Sequence, residues 1–100
     1  MMVDYSQLAV AIDTQYRDTA VLIRPRIDNP VPLTLGYRLT ISQTQNGNTS
    51  NIKQQGELQT GVASSGVQLG LPGKGTCVVH LEVFDTQTLV KSVDRDCAAQ

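Results

Sequence analysis

Leu35-Gly36-Tyr37-Arg38-Leu39-Thr40-Ile41-Ser42 places large apolar side chains at odd positions and small or polar ones at even positions. Successive side chains of an extended chain point to opposite faces, so this run reads as one half-buried strand. Cys77-Val78-Val79-His80-Leu81-Glu82-Val83-Phe84 follows the same odd parity. Further short apolar runs follow on either side, separated by Gly, Asn and Pro punctuation. No long segment holds a helical apolar period with caps.

Working outward, Leu8, Val10 and Ile12 mark a first strand, ended by a turn around Tyr16 to Asp18. Thr19, Val21, Ile23 and Ile27 are expected inward on a second strand, with Leu22, Arg24 and Arg26 outward. Pro25 lacks an N–H, which predicts an irregular or edge position there. Asp28-Asn29-Pro30-Val31-Pro32 is a loop, because each residue before a proline is held extended. The third strand runs from about Thr34 to Thr44, and Asn46-Gly47 closes a hairpin onto a fourth, Thr49 to Thr60. There Ile52 and Leu58 face inward and Gly56 is expected to form a bulge. Val67, Leu69 and Leu71 give a fifth strand, and the tight connection through Gly75 leads to the sixth. Asp85-Thr86-Gln87-Thr88 turns into the seventh. Short strands at this spacing predict an all-β chain, an Ig-like seven-stranded β-sandwich. The buried Trp and widely spaced cysteines of antibody domains are missing.

The 100 residues suffice for one domain with a single core, mostly aliphatic because Phe84 and three tyrosines are the only aromatics. Residues 1–100 are read as that one domain, with Met1-Met2 as an added start and 96–100 as a flexible tail. No charged and apolar leader follows Met1-Met2, so any secretory signal is expected to have been removed. The net charge of -1 argues against bulk affinity for nucleic acid or membrane. Its distribution is uneven. Arg17, Arg24, Arg26, Arg38 and Lys53 outnumber the acids between residues 17 and 57, whereas Glu82, Asp85, Asp94 and Asp96 outnumber Lys91 and Arg95 near the end.

Cys77 and Cys97 allow one intramolecular pairing. With Phe84 opposite Leu89 across the last turn, Cys77 falls opposite residue 96, and a one-residue difference in the loop makes it Cys97. A disulfide is therefore expected, the alternative being two free thiols with one buried. Cys77 and His80 are three apart on a strand and point to opposite faces, so they form no nucleophile–base pair. One histidine and two cysteines do not close a zinc site. No enzyme chemistry, cofactor or metal is expected. Gly70-Leu71-Pro72-Gly73-Lys74-Gly75-Thr76 imitates a phosphate loop, but Gly75 splits the Lys-Thr pair and the segment joins strands. Asn48-Thr49-Ser50 matches a glycosylation sequon, a short pattern with a high chance rate.

From Val21 to Val93 the chain resembles the curli assembly inhibitors of the CsgC/CsgH type, and more the CsgH branch. The resemblance is carried by Asp18-Thr19-Ala20-Val21-Leu22-Ile23-Arg24-Pro25, by Gly36 to Ser42, by Asn51-Ile52-Lys53-Gln54-Gln55-Gly56 and by Val78 to Asp85. It implies a small periplasmic chaperone-like protein that keeps the curli major subunit from forming amyloid, without ATP or catalysis. A monomer is expected. Enteric members carry Cys-x-Cys where this chain has Leu33-Thr34-Leu35, so a redox role for that motif does not carry over. Amyloid grows through strand edges and Gln/Asn ladders, and spaced cations beside polar strands could engage it. Arg24, Arg26, Arg38 and Lys53 all lie opposite in parity to the apolar series and are the expected partner-binding residues. A structural or adhesion module of the cell surface is the alternative, and donor-strand pilus chaperoning is disfavoured by Pro25 and the polar fourth strand.

Overall fold

Asn46 and Gly47, at φ 53° and 79°, form a two-residue turn with both centres in the left-handed region. Such a turn matches the twist of the strands it joins. Here they are β3 (Thr34–Gln45) and β4 (Asn48–Gln59), paired without interruption from Thr34↔Gln59 to Gln45↔Asn48. The computed structural model describes residues 4–70 and 75–98, which contain seven strands and no helix. The remaining strands are β1 (Ala9–Arg17), β2 (Ala20–Asp28), β5 (Val67–Gly70), β6 (Thr76–Asp85) and β7 (Thr88–Asp96). Asp18 and Thr86 take positive φ in the turns joining β1 to β2 and β6 to β7.

Two antiparallel sheets result, β1-β2-β5 and β4-β3-β6-β7. The fold is the Ig-like β-sandwich expected from the periodicity. Unlike the constant-type antibody arrangement, the fourth strand stays beside the third instead of joining the first, second and fifth. Val21, Ile23, Tyr37, Leu39, Ile41, Leu69, Val79, Leu81 and Val83 are all buried, so the odd parity set the register correctly. Leu8, Ile12, Ile27, Leu35 and Leu58 complete the aliphatic centre. Each fully buried side chain of this kind contributes about 1.5–3 kcal/mol.

Three local expectations change. Thr19 is exposed in the β1–β2 turn and does not face inward. Gly56 makes no bulge, since it pairs in register with Tyr37, and a Cβ there would lie 3.1 Å from Tyr37 Cε1. The glycine is where the tyrosine ring rests. Pro25 is buried in the central strand of its sheet, opposite Ile12, but pairing with β5 ends at Ile23↔Val67. An extended residue aims its N–H and C=O to the same side. The Pro25 carbonyl accepts from Ser64 Oγ at 2.6 Å, just before β5, so the missing N–H falls where no strand needs it. Proline is locally at an edge.

Gly75 has φ 133°, and a Cβ there would lie 2.3 Å from the Thr44 carbonyl oxygen, so only glycine fits this approach to β6. Leu71 and the rest of the connection 71–74 lie outside the described residues. At the other end β7 runs to Asp96, Cys97 is buried, Ala98 packs on the core, and 99–100 of the expected tail are outside the described residues.

Candidate functional site

The sheet to which each strand belongs decides where the expected cations go. Arg24 and Arg26 are on β2 and project from the outer face of the three-stranded sheet. Arg38 on β3 and Lys53 on β4 project from the outer face of the four-stranded sheet. The four residues therefore lie on opposite faces of the sandwich and do not form one patch.

On the small face Arg26 is neutralised locally. Its Nε donates to Asp13 at 2.9 Å and its Nη1 contacts Asp28. Asp13, and less strongly Asp28, raise the guanidinium above its ordinary value and keep it charged. Arg24 stands beside it on the same face, opposite Asp13 in the register, and makes no ion pair among the described residues. Leu22 and the Arg24 stem pack over Gly66, where a Cβ would come within 2.9 Å of Arg24 Cγ.

The large face is ordered in cross-strand rows. One runs Gln55, Arg38, Glu82, Ser92 and the next Lys53, Thr40, His80, Asp94. Arg38 lies over the Phe84 ring with Cζ 5.4 Å from its centroid and approaches Glu82 at 3.5 Å. His80 Nδ1 meets Asp94, and its Nε2 lies 3.9 Å from Glu82. Charge thus passes from cationic and amide-bearing at β4 and β3 to acidic at β7. Sequence reading separated the basic and acidic segments, but the sheet places them side by side on one face. The even parity of Arg38, His80 and Glu82 was the available signal, and only the β3–β6 register could join them.

Cys77 and Cys97 form the expected disulfide, with Cα atoms 4.9 Å apart. The one-residue offset lies in the ladder, not in the loop. Phe84 pairs with Leu89 while Val83 pairs with Lys91, so Val90 is an extra residue and Cys97 arrives opposite Cys77. The Cys97 N–H donates to the Cys77 carbonyl at 2.9 Å. Cys77 faces the core and His80 the outer surface, so they do not meet. Among the described residues no group of three or more His, Cys, Asp or Glu could hold a metal ion, and no helix is long and apolar enough to cross a membrane.

The sheet edges differ in their protection. β7 carries Lys91 and Arg95 opposite Val83 and Val79, on its core-facing side, and has the Val90 irregularity. Lys91 Nζ donates to the Leu8 carbonyl at 2.9 Å, tying this edge to the start of β1. Charges turned inward and bulges are devices that stop edge pairing. β5 has only four residues. β4 has twelve, with neither proline nor bulge, and most of its side chains are exposed.

No protein-family model and no curated protein matches the sequence. Two solved structures share the fold. CsgH of R. palustris superposes with a TM-score of 0.70 at 17% identity, covering 90% of this chain and 92% of that one. The curli protein CsgC of E. coli superposes with a TM-score of 0.66 at 16% identity, covering 88% of this chain and 95% of that one. The fold is thus shared with these two proteins over most of each chain.

Proposed function

We propose that this chain is a member of the CsgC/CsgH-type group and acts in the periplasm as a chaperone-like inhibitor of curli-subunit amyloid formation. The observation that carries the reading is the fold shared with CsgH and with the curli protein CsgC over about nine-tenths of the chain. The sequence resemblance from Val21 to Val93 points the same way. Inhibition works by transient contacts with early assemblies of the curli major subunit, with no cofactor and no catalytic cycle. On the large face Arg38 and Lys53 guide the encounter, with the Asn51 and Gln55 amides beside them on the same face. On the opposite face Arg24 is the effective cation, since Arg26 is held by Asp13 and Asp28. Exposed charges act mainly on encounter rate, and salt screens them.

A fluorescence time course of curli-subunit polymerisation, with this protein at substoichiometric ratio, tests the function. A lengthened lag supports it, and unchanged kinetics at every ratio refute it. A second reading is favoured by the β4 edge, which no described strand covers. Backbone pairing there would cap a growing strand and leave inhibition insensitive to salt. Repeating the assay from low salt to a few hundred millimolar separates the two. A cell-surface adhesion module would instead bind a neighbouring domain stably and leave the polymerisation lag unchanged. Among the described residues the large exposed hydrophobic side chains Tyr16, Val31, Val62, Val78 and Leu89 are split between β1, loops and the large face, which gives such a module little to work with.

A further inference from the structure

The phase of the β3–β4 ladder fixes which backbone groups of β4 are free. The Thr60 N–H donates to the Leu33 carbonyl at 3.1 Å, one step beyond Thr34↔Gln59. Antiparallel pairs alternate between bonded and non-bonded, so Leu58, Gly56, Gln54 and Ile52 turn their groups to β3. Glu57, Gln55, Lys53 and Asn51 turn theirs outward. The side chains of these four also share the outer face.

This edge is complementary to itself. Laid antiparallel on a second β4 about a two-fold axis at Gln55, Lys53 of each copy falls opposite Glu57 of the other. Gln55 then opposes Gln55, and the pair exchanges both free backbone bonds. Ile52 falls opposite Leu58 on the core-facing side. Sliding the axis to Lys53 would set lysine against lysine, so the charges select the Gln55 register. Isologous contacts require such self-complementarity.

We propose that two copies of this chain pair through β4 in that register, joining their four-stranded sheets into one of eight. One strand pair buries less than the roughly 1,000 Å² of a stable complex, so the dimer is weak and reversible. The chain is monomeric when dilute and dimeric when concentrated.

Sedimentation of the purified protein alone, from about 10 µM to about 1 mM, should show a concentration-dependent dimer. Over that range the amide protons of Lys53, Gln55 and Glu57 should gain exchange protection, while those of Ile52 and Gln54 stay protected throughout. Lys53→Glu and Glu57→Lys should each weaken self-association about tenfold, because each turns two attractive cross-strand pairs repulsive. An equimolar mixture of the two single variants should regain it as a heterodimer. Gln55→Pro should abolish it without disturbing the β3–β4 ladder, since that N–H points away from β3. Every variant is checked first for an unchanged unfolding midpoint. A monomer at every concentration overturns the proposal. So does a dimer that the single variants leave intact, or a β4 edge that becomes protected only when curli subunit is added.

Discussion

Gly56 and Tyr37 are one packing unit spread over two strands. The ring occupies the space a side chain at 56 would need, with the nearest ring carbon 3.1 Å from a hypothetical Cβ. Gly56→Val should therefore cost about 1–3 kcal/mol by overpacking. In a Tyr37→Ala background the same change should cost little, and a double-mutant cycle by urea unfolding measures the coupling. Sequence reading found a glycine inside a strand and inferred a bulge, because a glycine's neighbour across the strand is invisible from its own run. Tyr5 gives a second expectation. Its hydroxyl donates to Asp85, which raises its pKa above the ordinary 10.0. A raised folded-state pKa stabilises below the unfolded value and stops doing so as pH climbs through the folded one. Wild type should unfold at a slightly higher midpoint than Tyr5→Phe at neutral pH. That margin should close as the solution becomes strongly alkaline, and thermal unfolding across the alkaline range reads it.

At the scale of elements, period-two parity told which face of each strand is buried, because alternation is a property of one strand alone. It could not tell which sheet a strand joins. Arg24 and Arg38 have the same parity and leave the molecule on opposite sides for that reason. The disulfide was legible because the β6–β7 turn is short, although its last residue of register came from Val90 in the ladder. Deleting Val90 should remove the irregularity and leave Lys91 opposite Val83 and Cys97 opposite Cys77, so mass spectrometry of unreduced, alkylated protein should still detect no free thiol. Replacing both cysteines by alanine should cost about 3 kcal/mol in the chain-entropy model for a loop of this size. The fold should survive, since the aliphatic centre is independent of the bridge, and the loss should appear as a lower urea midpoint with a steeper slope, because the unbridged denatured chain exposes more surface.

The whole molecule is elongated, about 50 Å by 24 Å by 19 Å, with the long axis set by strands such as the twelve-residue β3 and β4. Its two broad faces carry separate charges, which a single contact on one face cannot engage together. Reversing Arg38 and Lys53 to Glu should shorten the lag of curli polymerisation towards that of subunit alone and flatten its salt dependence. Reversing Arg24 and Arg26 probes the other face. Arg26→Glu also sets three carboxylates together, so its effect on stability should exceed that of Arg24→Glu. Thermal unfolding of the four single variants separates folding from inhibition. Lys53→Glu should fall within about 0.5 kcal/mol, whereas Arg38→Glu loses its contact with Phe84, sets a second carboxylate beside Glu82 and should cost more. If the paired reversals on both faces inhibit as well as wild type, charge guidance is wrong.

The bridge also sets an order of events during biosynthesis. Its two sulfurs are 20 residues apart, and the second belongs to the residue just after the final strand. A nascent chain emerging from its N-terminus exposes the first thiol well before the second exists. Oxidation within the chain must wait until β7 has been made and laid against β6. The bond therefore marks chains that have passed residue 97, and a chain halted short of it carries a free thiol at Cys77. Pulse labelling with a thiol reagent should follow that transition, with labelling lost only after Cys97 has been added.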